Sequence, residues 1–144
     1  FFSFDKNGRA LKTHSKISHG SSKVYSINES NWNMFTEKDK NWINNLKSGI
    51  VGKYTARYVG SLVADFHRNL IKGGVFSYPS NPKTGEGRLR LIYECNPLAF
   101  IAQNTNGDAN DGETKVLKIK PTDLHQRIGF YIGSKEEIEI RKNS

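Results

Sequence analysis

The sequence predicts an α/β fold in which a sheet is covered by helices. Segments rich in strand-forming residues alternate along the chain with segments whose apolar residues recur at helical spacing. The length of 144 residues is typical of one domain, and neither an internal repeat nor a linker divides the chain. The hydrophobic fraction is only 35%, but eight Phe, six Tyr and two Trp indicate a packed core, not a disordered chain.

The first 78 residues contain three predicted strands and two predicted helices. One helix is expected to follow the capping residue Thr36 and to end at Gly49. The helix with the clearest periodicity lies within 57–74, begins after Ser61 and stops at the Gly73-Gly74 pair. Four polar residues at 28–31 fit a turn, although a turn needs fewer. The strands are predicted at 1–4, 23–27 and 75–78.

In the second half, an apolar strand at 89–93 is expected to lead into a helix. Asn96 is its predicted cap, Pro97 its first residue, and it runs to about Asn106. The acidic segment 108–113 is interpreted as a surface loop, because its spacing does not match an EF-hand. A helical turn is expected near His125, and a last helix follows Ser134. Two further strands are predicted at 116–119 and 128–132.

The charge of the chain indicates an anionic partner. There are 22 Lys and Arg against 14 Asp and Glu, a formal net charge of +8. The basic residues are scattered, and the usual nucleic-acid-binding motifs are missing. Charge alone leaves three interpretations open, which are a phosphorylated small molecule, a nucleic acid and a solvated basic surface.

Cys95 is the single cysteine, which excludes an intrachain disulfide and a multi-cysteine zinc site. We therefore expect a reducing compartment, the cytoplasm. There is no apolar run of membrane-spanning length and no secretory pattern, so no membrane association is expected. Because the sequence begins with Phe1 and not with Met, we expect a processed or partial product.

Two places along the chain have the chemistry of a binding site. Glu94 lies where the predicted strand 89–93 meets the next helix, an edge at which α/β folds bind ligands. It is a candidate metal ligand, or else a charge partner of Arg88 or Arg90. The Gly60-Ser61 pair at a helix start offers backbone amides to an anion or a sugar hydroxyl.

Four stretches in the same order resemble class I fructose-1,6-bisphosphatases. They are KVYSINES (23–30), ARYVGSLVADFHRNLIKGGVFSYP (56–79), GRLRLIYECNPLAF (87–100) and PTDLHQR (121–127). The resemblance implies a mixed sheet in a layered sandwich, the carboxy-terminal, substrate-binding domain of the sugar-phosphatase fold, over residues 1–144. It also implies that the catalytic and AMP-binding half, with its Asp-Pro-Leu-Asp-Gly-Ser motif, lies outside this sequence.

The resemblance implies hydrolysis of fructose 1,6-bisphosphate to fructose 6-phosphate and phosphate, a step of gluconeogenesis. Glu94 is the implied ligand for Mg²⁺, with Mn²⁺ or Zn²⁺ possible. Arg57 is implied to cross a subunit interface in a dimer of dimers, and Arg90 to lie near the departing 1-phosphate. Neither nucleic acid nor membrane is an implied partner. The implied substrate-binding residues are Asn28, Arg57, Tyr58, Gly60, Ser61, Leu62, Tyr78, Arg88 and Arg90.

Several positions depart from the family pattern. Arg88 stands where Lys is usual, which keeps the charge but replaces a compact donor with a planar fork. Asn31 replaces the Tyr of vertebrate members, Ser30 replaces Gly, and 106–111 lacks the usual Gly-Gly. These changes affect the expected affinity for the sugar phosphate and leave the predicted site in place.

One carboxylate does not supply the oxygen ligands that two or three magnesium ions need. We therefore expect the isolated chain to be inactive as a phosphatase. The alternative hypothesis is a non-catalytic module that binds a sugar phosphate or a protein partner. A relative of the sedoheptulose bisphosphatases is a third, weaker hypothesis, because ARYVGS and ECNP resemble the fructose branch.

Overall fold

The computed structural model describes residues 1–18 and 20–144. Its strands are β1 (Phe2–Phe4), β2 (Ala10–Lys12), β3 (Val24–Ser26), β4 (Thr55–Ala56), β5 (Val75–Tyr78), β6 (Leu89–Arg90), β7 (Gly107–Asn110), β8 (Arg127–Ile128) and β9 (Phe130–Ser134). Its α-helices are α1 (Glu37–Ser48), α2 (Leu62–Lys72), α3 (Asn96–Gln103) and α4 (Lys135–Lys142). Short 3₁₀ helices span Glu29–Met34 and Val116–Lys118, and a π-helical turn spans Leu91–Cys95.

The central sheet is mixed, as the resemblance implied. Its five strands follow the order β4-β3-β5-β9-β7. Strand β3 runs parallel to both β4 and β5, whereas β5, β9 and β7 form antiparallel pairs. Two ribbons lie outside this sheet, the β1–β2 hairpin and the antiparallel β6–β8 pair. The α/β fold class is therefore confirmed.

Helices cover both faces of the sheet and divide the core into two clusters. Helices α2 and α3 pack on one face through side chains such as Phe66 and Ala99. Helices α1 and α4 pack on the other face, around the fully buried Trp42. The neighbouring residues Val75 and Phe76 of β5 belong to opposite clusters, because side chains alternate across a strand. This arrangement is the layered sandwich that was expected.

The predicted strand 89–93 is wrong beyond its first two residues. The chain leaves β6 at Arg90, which is the N-terminal cap of the π turn, and Asn96 already has helical φ and ψ angles of −60° and −48°. Leu91, Cys95, Ala99 and Ala102 are all buried at helical spacing, so burial of one helix face outweighs the strand preference of the sequence. Helix α3 also ends earlier than predicted, at Gln103.

Three other segments differ from the predictions. Residues 116–119 form a 3₁₀ turn in place of a strand, and 28–31 begin a 3₁₀ helix in place of a simple turn. The segment Gly107–Asn110, which was interpreted as loop, is the edge strand β7. Its pairing with β9 overrides the weak strand preference of Gly, Asp and Asn. Across the described ranges, no helix has both the length and the apolar character needed to cross a membrane.

Candidate functional site

A cavity of 430 Å³ opens beside the end of β5 and contains three of the predicted binding residues. Asn28 reaches it from the end of β3, Tyr78 from the end of β5, and Arg88 from the start of β6. These residues come from separate parts of the chain, and the fold brings them to one place. The lining is completed by Asn31, Met34, Phe35, Ser77, Pro79, Ser80, Asn81, Thr84, Glu86, Gly87 and Arg127.

Asn28 is held by the 3₁₀ helix that it caps. Its Oδ1 accepts hydrogen bonds from the Ser30 backbone N–H at 3.2 Å and from the Ser30 hydroxyl at 2.6 Å. The Asn28 Nδ2 donates no hydrogen bond within the described chain. Since the oxygen accepts these two bonds, the two Nδ2–H groups remain as donors for a ligand. Ser30, a departure from the family pattern, thus helps to orient a predicted binding residue.

Tyr78 and Arg88 are neighbours in the cavity. The Arg88 guanidinium carbon lies 5.9 Å from the centre of the Tyr78 ring, which is within the range of a cation–π contact. The preceding Gly87 lets the chain approach β8 closely, because a Cβ there would lie 1.7 Å from the Ile128 carbonyl. Close packing of this loop against β8 therefore fixes the position of Arg88.

The segment before α2 lies next to the cavity. Burial raises the pKa of Tyr58, the nearby Tyr78 and Asp65 raise it further, and Arg88 opposes the shift. Tyr58 thus interacts electrostatically with two residues of the cavity, Tyr78 and Arg88. The predicted residues Ser61 and Leu62 stand at the N-cap and first positions of α2.

The expectation of a free backbone amide at Gly60 is wrong. Asp65 is fully buried, and its Oδ2 accepts hydrogen bonds from the backbone N–H groups of Val59 at 3.0 Å and Gly60 at 3.2 Å. The Ser61 side chain makes no capping hydrogen bond. A carboxylate from the first turn of α2 thus occupies the Gly60 amide, as the positive end of a helix favours.

Arg57 does not line the cavity. Its guanidinium is exposed and donates a hydrogen bond to the Ala56 carbonyl at 2.9 Å, while its own carbonyl accepts one from Arg68 at 2.9 Å. The guanidinium can therefore reach outward from the chain. Its role across a subunit interface stays a prediction.

Glu94 contacts Arg90, the N-terminal cap of the π-helical turn that contains Glu94. Its Oε2 accepts a hydrogen bond from the Arg90 backbone N–H at 2.7 Å and lies 3.7 Å from the Arg90 guanidinium. The structure thus shows the charge pair with Arg90 that the sequence left open, and the implied place of Arg90 near the 1-phosphate stays a prediction. The pair is partly exposed, with 38% and 29% of the two side chains accessible, so its contribution to stability is small.

Glu94 alone does not fit a metal centre. Within residues 1–18 and 20–144, no group of three or more His, Cys, Asp or Glu side chains is placed to hold a metal ion. The Oε1 of Glu94 accepts no hydrogen bond within the described chain, whereas Oε2 accepts one from the Arg90 backbone N–H. Glu94 therefore supplies at most one carboxylate to a metal site, and other ligands are needed.

The cavity also contains residues that the sequence did not identify. Arg127 is the second guanidinium in the lining, and Ser77 has a fully buried hydroxyl without a hydrogen-bond partner in the described chain. Asn81 and Thr84 come from the loop between β5 and β6. No local pattern marks these residues. For Arg127, the only signal was its place in the PTDLHQR stretch.

Cys95 is a free, fully buried thiol beneath this region. Burial, and secondarily the charge of Glu94, raises the pKa of the Cys95 thiol to about 12. A thiol with such a pKa is not ionised near neutral pH and is a poor nucleophile. Cys95 therefore belongs to the core and not to the site.

Comparison with known proteins places the chain in a family. Residues 18–143 match the family described as "Fructose-1-6-bisphosphatase, C-terminal domain". The chain is 52% identical over 119 residues to the chloroplastic fructose-1,6-bisphosphatase of Brassica napus, covering 81% of this chain and 29% of that protein. It is 47% identical over 146 residues to the class 1 fructose-1,6-bisphosphatase of Chlorobaculum parvum, covering 96% of this chain and 43% of that protein.

The fold agrees with these sequence matches. The crystal structure of Leishmania major fructose-1,6-bisphosphatase in holo form superposes with a TM-score of 0.93 and 38% identity, covering 99% of this chain and 45% of that one. The chain thus spans less than half the length of these relatives. By sequence and by fold, it belongs to the fructose-1,6-bisphosphatase family and corresponds to the C-terminal domain of its members.

Proposed function

We propose that this chain forms the sugar phosphate-binding part of a fructose-1,6-bisphosphatase. In the proposed reaction, water attacks the 1-phosphate of fructose 1,6-bisphosphate and releases fructose 6-phosphate and phosphate. The chain contributes the site for the sugar and its 6-phosphate, and one carboxylate. We further propose that the protein acts as a homo-oligomer, a dimer of dimers, in the cytoplasm.

One observation carries this proposal: Asn28, Tyr78 and Arg88 converge on one cavity. An amide N–H, a phenolic hydroxyl and a guanidinium are three kinds of donor suited to the oxygens of a phosphate monoester. The guanidinium supplies charge and a planar fork, whereas the two neutral donors fix orientation. The volume of 430 Å³ is in the range of small-molecule sites.

The chemistry at the 1-phosphate requires groups beyond these residues. We propose that Glu94 provides one oxygen to a Mg²⁺ site, for which Mn²⁺ or Zn²⁺ can substitute, and that its remaining ligands lie outside this chain. A divalent ion there would polarise the phosphate and activate water. The Arg90 backbone N–H holds the Glu94 carboxylate in a fixed orientation, which keeps its other oxygen available.

Calorimetric titration of the chain with fructose 6-phosphate tests the proposal. We expect saturable binding of fructose 6-phosphate and none of fructose, because phosphate supplies most of the recognition. Loss of a charge-assisted bond in Arg88→Gln is expected to weaken binding at least about tenfold. Arg9→Gln is the matched control, since Arg9 lies in the exposed β1–β2 hairpin and outside the cavity.

Two results would contradict the proposal. If fructose and fructose 6-phosphate bind equally well, the cavity is not a phosphate site. If Arg88→Gln and Arg9→Gln have the same affinity as the unchanged chain, binding occurs elsewhere. The alternative of a non-catalytic module shares the binding prediction and is separated from this proposal by the turnover experiment in the Discussion.

A further inference from the structure

The β6–β8 ribbon carries an unusual arrangement of basic residues at the cavity. In its register, Leu89 pairs with Ile128 and Arg90 pairs with Arg127. Residues directly opposite each other in an antiparallel pair project from the same face of the ribbon. Arg90 and Arg127 therefore lie side by side on one face.

A third arginine, Arg88, directly precedes β6. Leu89 and Ile128 belong to or pack against the core cluster around Phe66, so their face of the ribbon is apolar and turned inward. Because side chains alternate along a strand, Arg90 and Arg127 project to the other face. Of the three arginines, Arg88 and Arg127 line the cavity.

The positive charges of these three arginines are not fully compensated. Arg90 has Glu94 at 3.7 Å, whereas neither Arg88 nor Arg127 forms a salt bridge with any residue in the described parts of the chain. The single carboxylate in the cavity lining is Glu86, against the two guanidinium groups of Arg88 and Arg127. Like charges opposite each other in a sheet destabilise it, and a bound anion removes that repulsion.

We propose that Arg127 is a further phosphate-binding residue, which acts with Arg88 on the phosphate held in this cavity. The inference rests on the proposed function, because it takes the phosphate monoester of a sugar as the ligand. The two guanidinium groups, one from the residue before β6 and one from β8, hold one phosphate dianion between them. Tyr78, beneath Arg88, orients the first fork, and pairing with β6 orients the second.

The first test is the affinity of the chain for fructose 6-phosphate, measured by calorimetry in Arg127→Gln, Arg127→Lys and Arg9→Gln. Arg127→Gln is expected to weaken binding about tenfold, because it removes one charge-assisted hydrogen-bond contact to the phosphate. Arg127→Lys keeps the charge but loses the planar guanidinium group. Its affinity should therefore lie between that of the unchanged chain and that of Arg127→Gln. Arg9→Gln removes the same charge outside the cavity and leaves the affinity unchanged.

The second test separates ligand binding from a structural role. Without ligand, Arg127→Gln should unfold at the same temperature as the unchanged chain or a higher one, because it removes a like charge opposite Arg90. With saturating fructose 6-phosphate, the rise in its unfolding temperature should be smaller than in the unchanged chain. A lower unfolding temperature without ligand, with the ligand-induced rise intact, would overturn the inference.

The outcomes distinguish this inference from the function on which it rests. If Arg88→Gln weakens binding and Arg127→Gln does not, the role of Arg127 is refuted and the proposed function stands. If the unchanged chain does not bind fructose 6-phosphate, both are refuted. Weakened binding in both variants, with Arg9→Gln unaffected, supports both.

Discussion

The Arg88 guanidinium lies 5.9 Å from the centre of the Tyr78 ring, although Tyr78 ends β5 and Arg88 directly precedes β6. The Pro- and Gly-containing loop between β5 and β6 folds back and brings them together. The ring therefore has two functions in the proposed site. Its hydroxyl is a donor to phosphate, and its face supports the arginine.

This double role predicts different effects for two substitutions of Tyr78. Tyr78→Phe keeps the ring and loses only the hydroxyl, so we expect affinity for fructose 6-phosphate to fall about fivefold. Tyr78→Ala also removes the support of Arg88, and we expect a loss of at least about twentyfold. Calorimetry measures both affinities.

Tyr93→Phe is the control for loss of a hydroxyl. Tyr93 is 47% exposed and lies outside the cavity. The Tyr93→Phe variant should therefore bind fructose 6-phosphate as tightly as the unchanged chain. A double variant, Tyr78→Ala with Arg88→Gln, should be less impaired than the sum of the two single effects, because the two residues are in contact. Strict additivity would show that Tyr78 does not position Arg88.

Asp65 is predicted to hold the segment before α2 in place. It accepts hydrogen bonds from two backbone amides and from the Arg68 guanidinium at 2.7 Å, and it is fully buried. Asp65→Ala leaves these donors without their partner, so the free energy of unfolding should fall by about 3 kcal/mol. Urea denaturation measures the change.

The control for this prediction is Glu139→Ala, which removes an exposed ion pair of the same i,i+3 spacing with Lys142. It should cost less than about 0.5 kcal/mol. Asp65→Ala should also weaken binding of fructose 6-phosphate, because Tyr58 lies in the segment that becomes loose. Equal stability of the two variants would refute the structural role of Asp65.

Glu137 leads to a prediction about how the stability of the fold depends on pH. The Tyr54 hydroxyl donates a hydrogen bond to Glu137 Oε2 in a buried position. Burial raises the pKa of Glu137 above its ordinary value of 4.5, although Tyr54 and Lys23 oppose the shift. The folded state therefore binds a proton more tightly than the unfolded state, and this contribution to stability is lost as pH rises above about 4.5.

Glu137→Gln removes this titration and keeps an acceptor for Tyr54. Its stability relative to the unchanged chain should therefore increase as the pH rises above about 4.5. Urea denaturation at several pH values checks this, with the exposed loop residue Glu113 as a control in Glu113→Gln. A stability difference that does not change with pH would contradict the raised pKa.

The sequence predicted those parts of the fold that local interactions determine. Thr36 and Ser134 were predicted as caps, and their side chains accept hydrogen bonds from the backbone N–H groups of Asp39 and Glu137. Strand β5 was predicted at its observed limits, because its apolar run is bounded by Gly and Pro. Such signals lie within a few residues of the element that they define.

The wrong predictions concern segments determined by distant partners. Strand β7, Gly107–Asn110, is a strand only because β9 pairs with it. The segment 91–95 has strand-forming residues, yet burial of Leu91 and Cys95 on one face makes it helical. Neither effect is visible in a short stretch of sequence.

The same distinction holds in the candidate site. Asn28, Tyr78 and Arg88 were predicted through the resemblance, and the structure places them in one cavity. Arg127 was missed because its position depends on the register of β8 with β6. The engagement of the Gly60 amide by Asp65 was missed because it depends on a side-chain rotamer.

Turnover separates an enzyme part from a non-catalytic module. The chain with Mg²⁺ should release no phosphate from fructose 1,6-bisphosphate above the uncatalysed rate, because Glu94 is one carboxylate where several ligands are needed. A chimaera that joins the amino-terminal part of the Chlorobaculum parvum protein to this chain should release phosphate. Turnover by the chain without that part would contradict the account.

Within the chimaera, Glu94→Gln should lower phosphate release at least about a hundredfold, because it weakens the metal site. The amide can still accept the hydrogen bond from Arg90, so the unfolding temperature should not change. An inactive chimaera that binds fructose 6-phosphate would favour the non-catalytic module. Full activity of the Glu94→Gln chimaera would show that Glu94 is not a metal ligand.

The central claim is that the cavity between β3, β5 and β6 binds a sugar phosphate. A crystal structure of the chain with fructose 6-phosphate tests it most directly. The account predicts the phosphate within hydrogen-bond distance of the Arg88 guanidinium, the Tyr78 hydroxyl and the Asn28 amide. Binding elsewhere, such as in the 250 Å³ cavity lined by Lys23, Ser134 and Lys135, would contradict it.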